Sequence, residues 1–197
     1  MYHEGIEPFL ENLEDKNIGI AGGSVVAMVL SSINSLIIYI SNLTIGKKKY
    51  VDVEEQVKTI LQKANELKQK SLEDMDNDKI VLDKILATYK NRNEAPEEYH
   101  QACKEGVEFG MDVLKMAVNV LELSEEISQC GNRMLSSDFQ ICAYLGLASV
   151  QSAIVNVKIN IIDEFGEAYI NKINEKCTEF LKQATEISNQ IILNAKS

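Results

Sequence analysis

The chain has 197 residues, 45% of them hydrophobic, with 20 Lys and Arg against 30 Asp and Glu and a net charge of −10. That is enough chain for one domain with a sizeable core, and the acidic balance argues against DNA or RNA, which are bound by clustered cations that release counterions from phosphates. Cys103, Cys130, Cys142 and Cys177 form no CxxC pair and the imidazoles are only His3 and His100, so neither a zinc site nor a disulfide scaffold is suggested, a reducing cytoplasm fits, and a carboxylate is the more natural acid or base.

Read in order, the N-terminus lacks the basic and then apolar pattern of a signal peptide, and Glu4, Glu7 and Glu11 disfavour a transit peptide. A short helix is expected from Tyr2 to Glu14. The loop Asn17 to Gly23 then opens a long apolar helix near Ser24, for which Gly46 is a natural stop, with Lys47, Lys48 and Lys49 placed against the helix dipole. A long amphipathic helix follows from Val51 to Tyr89, carrying apolar residues at spacings of three and four. Asn91 to Pro96 is a polar turn. A further helix runs from Glu97 to Ser128 and ends at Cys130-Gly131-Asn132; Ser136-Ser137-Asp138 reads as the N-cap of a second uncharged helix reaching Ile162; and a last helix fills Glu164 to Ala195. Asn17 to Gly46 and Phe139 to Val157 contain no charged residue and are long enough to span a bilayer, but both are interrupted by Ser, Asn or Gln, so buried helices are preferred to membrane spans. The expectation is an all-α bundle of long helices forming a single domain over residues 1–197.

Asp74-Met75-Asp76-Asn77-Asp78 first suggests a calcium loop, but Lys79 stands where the loop needs Gly and Ile85 where it needs Glu. Asp78 is the more telling residue. It interrupts the apolar stripe three residues after Met75 and four before Leu82, so its carboxyl should face the packed side, where desolvation and Asp74 one turn away would keep it protonated as a general acid. The alternative is a solvated cap, and since charge runs are usually surface, the residues alone favour that alternative. Ser24, Ser31, Ser35 and Asn42 share one face of the first apolar helix, where small-residue packing is preferred. Asn156 and Asn160, one turn apart on the second, are better cleft candidates because their amides demand partners. Gly22-Gly23 before Ser24 allows backbone amides to approach a ligand, although such a pair is more often an ordinary cap. Lys47 to Lys49, the one local basic cluster, would suit an anionic ligand tail.

Gly22-Gly23-Ser24-Val25, Leu43-Thr44-Ile45-Gly46-Lys47-Lys48-Lys49-Tyr50, Asp76-Asn77-Asp78, Cys130-Gly131-Asn132 with Ser137-Asp138, and Asn156-Val157-Lys158-Ile159-Asn160 follow one another in register over nearly the whole chain. In this they resemble the formimidoyltetrahydrofolate cyclodeaminase and methenyltetrahydrofolate cyclohydrolase family. The resemblance implies an all-helical homodimer with a folate cleft at or near the subunit interface. It implies either closure of 5-formiminotetrahydrofolate to 5,10-methenyltetrahydrofolate with loss of ammonia, or opening of the methenyl ring by water, with no metal or redox cofactor and no cofactor beyond the tetrahydrofolate substrate. It also implies that Asp78 is the proton donor, that Asp76 orients or polarises the site, and that Lys47 and Lys48 meet the glutamate tail of folate. Asn132, Ser137, Asp138, Asn156 and Asn160 match polar positions around the cleft, and Gly22, Gly23 and Ser24 match its glycine loop. That loop usually reads Pro-x-Pro-Gly-Gly-Gly-Ser; here Ile18 to Ser24 lacks both prolines and the first glycine. The departure implies a less rigid loop, with altered substrate choice, weak activity or a non-catalytic folate binder as possible consequences. Gly110 stands where some members have Pro, read as structural.

Overall fold

The computed structural model describes residues 5–196, and among them six long helices and three short 3-10 turns account for the regular structure. They are α1 (Ile6–Glu14), α2 (Gly22–Asn42), α3 (Glu54–Tyr89), α4 (Pro96–Cys130), α5 (Ser136–Ile159) and α6 (Glu167–Lys196). The part of the expected first helix before Gly5 lies outside the described residues. Pro8 is tolerated because it falls in the first turn of α1, where a backbone donor is not needed. Pro96 opens α4 for the same reason.

The centre of the bundle is α4, buried at Val107, Leu114, Ala117, Leu121 and Ile127 and packed against α2, α3, α5 and α6. Glycines let α5 approach it closely. A Cβ on Gly110 would lie 3.2 Å from the Val157 Cα, and one on Gly146 of α5 would lie 2.6 Å from the Leu121 side chain. A second, smaller apolar cluster joins Phe9 of α1, Ile20 of the loop, Ala27 of α2 and Met75 of α3. It anchors the start of α2 against the middle of α3. Ala21, where the family has a glycine, takes an extended backbone that any residue adopts, while Gly19 supplies the positive φ of the loop at 72°.

Three expected boundaries are corrected. The first apolar helix ends at Asn42, before Gly46, because the amides of Thr44 and Ile45 both turn back to the Ser41 carbonyl; Gly46, at φ 75°, closes that turn. Lys47 to Lys49 therefore lie beyond the helix and run into the 3-10 turn Lys48–Val53. Ser136-Ser137-Asp138 is not a cap: the 3-10 turn Arg133–Leu135 feeds directly into α5, and the side chain that caps is Asn132, whose Oδ1 accepts from the Met134 amide at 3.1 Å. The second uncharged helix ends at Ile159, three residues short of the expected Ile162.

Two helices, α2 and the stretch Arg133–Ile159, are long and apolar enough to cross a membrane, and each has about half of its most apolar stretch buried in the bundle. Their other sides are exposed and carry large apolar residues, Tyr39 on α2 and Ile141, Tyr144, Leu145, Val155 and Ile159 on α5, with charge confined to Arg133 and Asp138 at one end of the second stretch and Lys158 at the other.

The close approach of α4 and α5 gives a stability prediction. Gly110→Ala gains helix propensity of about 1 kcal/mol, but its methyl meets Val157 backbone that no rotamer change can move. A net loss of about 1–2 kcal/mol is expected, read as a lower urea midpoint at unchanged m-value. An unchanged or higher midpoint would show that the two helices separate at little cost.

Candidate active site

The first turn of α2 has no cap from its own sequence, because Ala21 stands at the N-cap position and offers no side-chain acceptor. Asp78 of α3 supplies it from 54 residues away. Its Oδ2 accepts the Ser24 amide at 2.9 Å, and the Ser24 hydroxyl lies 3.0 Å from the same oxygen. The other oxygen, Oδ1, rests against Gly23, where an added Cβ would fall 1.8 Å from it and 2.9 Å from the Asn156 Nδ2. Only glycine at position 23 lets the carboxyl and the Asn156 amide close on this turn.

The Ser24 hydroxyl also lies 2.9 Å from the Met75 carbonyl, so one hydroxyl proton faces two acceptors. With Asp78 ionised that proton is shared between the two acceptors; a proton on Asp78 would let Ser24 donate to the Met75 carbonyl and accept from Asp78. Burial pushes the Asp78 carboxyl above the ordinary carboxylate range, the hydroxyl and amide of Ser24 pull it back, and Asp74 pushes it up again; the net direction is upward. Of the two readings that the sequence left open, the structure supports the inward-facing acid.

Asp78 lines a cavity of about 230 Å³ between α3, α4, α5 and the start of α2. Its walls are Val81, Leu82 and Ile85 from α3, Gly106, Phe109, Gly110 and Val113 from α4, and Asn156, Ile159 and Asn160 at the end of α5, with Ala21, Gly22 and Gly23 at the mouth. The last turns of α3 carry Val81, Leu82 and Ile85 into this space and leave Ile80, Leu86 and Tyr89 exposed, and none of its residues beyond Met75 is buried in the core. Asn160 donates its Nδ2 to the Asn156 carbonyl at 3.0 Å, which leaves its Oδ1 to accept. The lining thus offers one acid and two amides in an apolar wall.

Of the expected site residues, Gly22, Gly23, Asp78, Asn156 and Asn160 come together here. Ser24 is buried outside the lining, with its amide on Asp78. Asp76 is not part of the lining, because two residues along a helix turn a side chain to another face. Lys47, Lys48, Asn132, Ser137 and Asp138 lie at the opposite end of α2 and α5, about 30 Å away at 1.5 Å per residue. Asn132 is a bracket there. Its amide donates to Thr44 Oγ1 at 3.0 Å and its Nδ2 to the Leu43 carbonyl at 3.2 Å, tying the turn after α2 to the start of α5. Lys47 and Lys48 are exposed. Gly106 and Phe109 escaped the sequence reading. The signal was Gly106-x-x-Phe109-Gly110, two glycines on one helix face beside an aromatic ring.

The family model for formiminotransferase-cyclodeaminase matches residues 5–179. The chain is 27% identical to the methenyltetrahydrofolate cyclohydrolase of Methylorubrum extorquens, over 99% of this chain and 97% of that protein. It is 24% identical to the formimidoyltransferase-cyclodeaminase of Rattus norvegicus, over 91% of this chain but only 34% of that longer protein. The crystal structure of formiminotetrahydrofolate cyclodeaminase from Thermotoga maritima superposes with a TM-score of 0.89, at 25% identity, covering 98% of this chain and 96% of that one. The chain belongs to the formiminotransferase-cyclodeaminase family.

The site carries a stability signature. A carboxyl whose folded pKa lies above its unfolded value stabilises the fold below the unfolded pKa, and that contribution is lost as pH rises through the folded one. Asp78→Asn keeps an acceptor for Ser24 and cannot ionise. It should therefore be more stable than wild type at pH 7, by on the order of 1 kcal/mol, with the gap closing as the pH falls through the ordinary carboxylate range. Equal stability at both pH values in urea titrations would mean that Asp78 is ionised at no cost.

Proposed function

We propose that this member of the family is a folate one-carbon enzyme that converts 5-formiminotetrahydrofolate to 5,10-methenyltetrahydrofolate with release of ammonia. The observation that carries the reading is Asp78, a carboxyl held against Ser24 on the wall of an apolar cavity, where burial raises its pKa above the ordinary carboxylate range. In the reaction N10 bonds to the carbon of the protonated formimino group, N5–CH=NH2+, whose C=N bond becomes a single bond; that C–N bond then breaks to leave the methenyl cation, and the departing amino group needs one further proton to leave as ammonia. Asp78 delivers it. As it does so the Ser24 hydroxyl turns from the Met75 carbonyl to Oδ2, so that hydroxyl and amide together catch the new carboxylate, which then recovers the proton lost from N10. Asn156 and Asn160 hold the ring system by its polar edge, and Phe109 and Ile85 cover its faces. No electrons change hands, so the chemistry calls for no redox cofactor, and acid catalysis by Asp78 needs no metal.

A second reading is the hydrolysis of the methenyl bridge, favoured by the end-to-end match to a cyclohydrolase. The same acid and the same cavity serve it, with water adding to the methenyl carbon.

The reading includes a homodimer. A cavity of about 230 Å³ is smaller than the roughly 300–1,000 Å³ of sites that enclose a whole ligand of drug size. The cavity lining holds no cation for a glutamate tail, and the exposed Lys47 and Lys48 are a helix length away. Between the two ends runs an outer face of α2 and α5 with exposed Tyr39, Ile141, Tyr144 and Val155, its charges, Asp138 and Lys158, lying near the ends of α5. A two-fold axis through that face, perpendicular to the helices, would cover the apolar stripe and lay the lysine end of one copy over the Asp78 end of the other. Four buried free thiols suit a reducing, cytoplasmic setting.

The test follows methenyltetrahydrofolate absorbance and ammonia with purified protein. With 5-formiminotetrahydrofolate both should rise together, and Asp78→Asn should lower the rate by about 10²–10⁴-fold, the usual worth of a general acid. Loss of added methenyltetrahydrofolate above the spontaneous rate, without ammonia formation from the formimino substrate, would select the hydrolase. No change with either substrate, or full activity in Asp78→Asn, would contradict the reading.

A further inference from the structure

A second acid lies one helical turn from Asp78. Asp74 is 3% exposed, more deeply buried than Asp78, and the i, i+4 spacing sets the two carboxyls on the same side of α3. Its Oδ1 accepts from Lys70 Nζ at 2.5 Å and from Asn77 Nδ2 at 3.0 Å, the donor set of an ionised carboxylate. Lys70, a further turn back, is 54% exposed and can be changed without disturbing the core. The other elements packed around Asp78 bring no formal charge to it: α2 contributes Ser24, α4 glycine and apolar side chains, and α5 the amides of Asn156 and Asn160.

We propose that Asp74 is a positioning residue that keeps the proton on Asp78, with Lys70 as the counter-charge that sets how strongly it does so. The proposal rests on the reading of Asp78 as the acid of the reaction. Two carboxyls on one helix face cannot both ionise cheaply in a poorly solvated site. Lys70 and Asn77 settle which one does, by donating to Asp74, while Ser24 with its single hydroxyl proton is best satisfied when Asp78 retains its own. The upward shift of the Asp78 carboxyl, caused first by burial, has Asp74 among its causes. Removing the charge at 74 should thus make Asp78 more acidic. Removing the charge at 70 leaves Asp74 less compensated and should make Asp78 less acidic.

The experiment is a carboxyl-carbon NMR titration of the folate-free protein with labelled aspartate, using Asp78→Asn to assign the signal. Asp74→Asn should move the Asp78 midpoint down by roughly half a pH unit or more and Lys70→Gln should move it up, shifts of the size expected for a partly screened charge one turn away. Structural damage alone would not move the two variants in opposite directions. Midpoints that stay in place, or that move the same way, overturn the proposal. The alkaline limb of the turnover profile should follow the two variants in the same opposite directions. Opposite midpoint shifts with a turnover limb that stays in place would uphold the coupling but overturn Asp78 as the acid, so the two failures are distinguishable.

Discussion

The N-terminus of α2 depends on a carboxyl from another helix, and the rest of the site depends on that contact. Ala21 cannot cap its own helix, so Asp78 takes the Ser24 amide from across the bundle and is itself held at the wall of a cavity. Gly23 is what lets the two meet, since a side chain there would occupy the place of Asp78 Oδ1. The cluster of Phe9, Ile20, Ala27 and Met75 supplies the apolar burial that keeps α2 pressed against α3 at this level. In this way a structural requirement, an orphan amide, is joined to a chemical one, a carboxyl raised above its ordinary pKa on the wall of an apolar cavity.

The remainder of the fold makes room for that pocket. From Asp78 onward α3 has no fully buried residue: Val81, Leu82 and Ile85 look into the cavity, and Ile80, Leu86 and Tyr89 are exposed. Gly106 clears space for Ile85 and Asn160, which a Cβ there would approach to 2.9 Å, and Gly110 brings α5 close enough for Asn156 and Asn160 to reach the mouth. A well-packed helix pair would have filled this volume with side chains. Loss of core at one end of the bundle is offset along α4, whose middle turns are buried by four neighbouring helices.

Much of this was legible in the sequence, for identifiable reasons. Long periodic segments with two prolines and few glycines specify helices, and Asp78 stood out by interrupting an apolar stripe at spacings of three and four, although the residues alone favoured a solvated cap. What was hidden depends on contacts distant in sequence. Ser24 looked like a ligand contact because nothing local shows that its amide and hydroxyl are taken by a residue 54 positions away. Asn132 looked available until the turn after α2 was seen to use its amide groups. The helix ends were misplaced where a carbonyl such as that of Ser41 recaptured amides before Gly46. Lys47 and Lys48 stand apart from Asp78 within one chain for a simpler reason: residues at opposite ends of a straight helix of 21 residues do not line one cavity of that chain.

The proposed homodimer makes one site from two ends of two copies, with the acid from one and the lysines from the other. The most direct measurement is complementation between Asp78→Asn and the double variant Lys47→Glu with Lys48→Glu, each assayed alone and after co-expression. Each should be nearly inactive alone. Random pairing makes half of the dimers mixed, and each mixed dimer has one intact site of two, so about a quarter of wild-type turnover should return. Co-expressed protein no more active than either parent, or a lysine variant with full activity alone, would contradict the shared site.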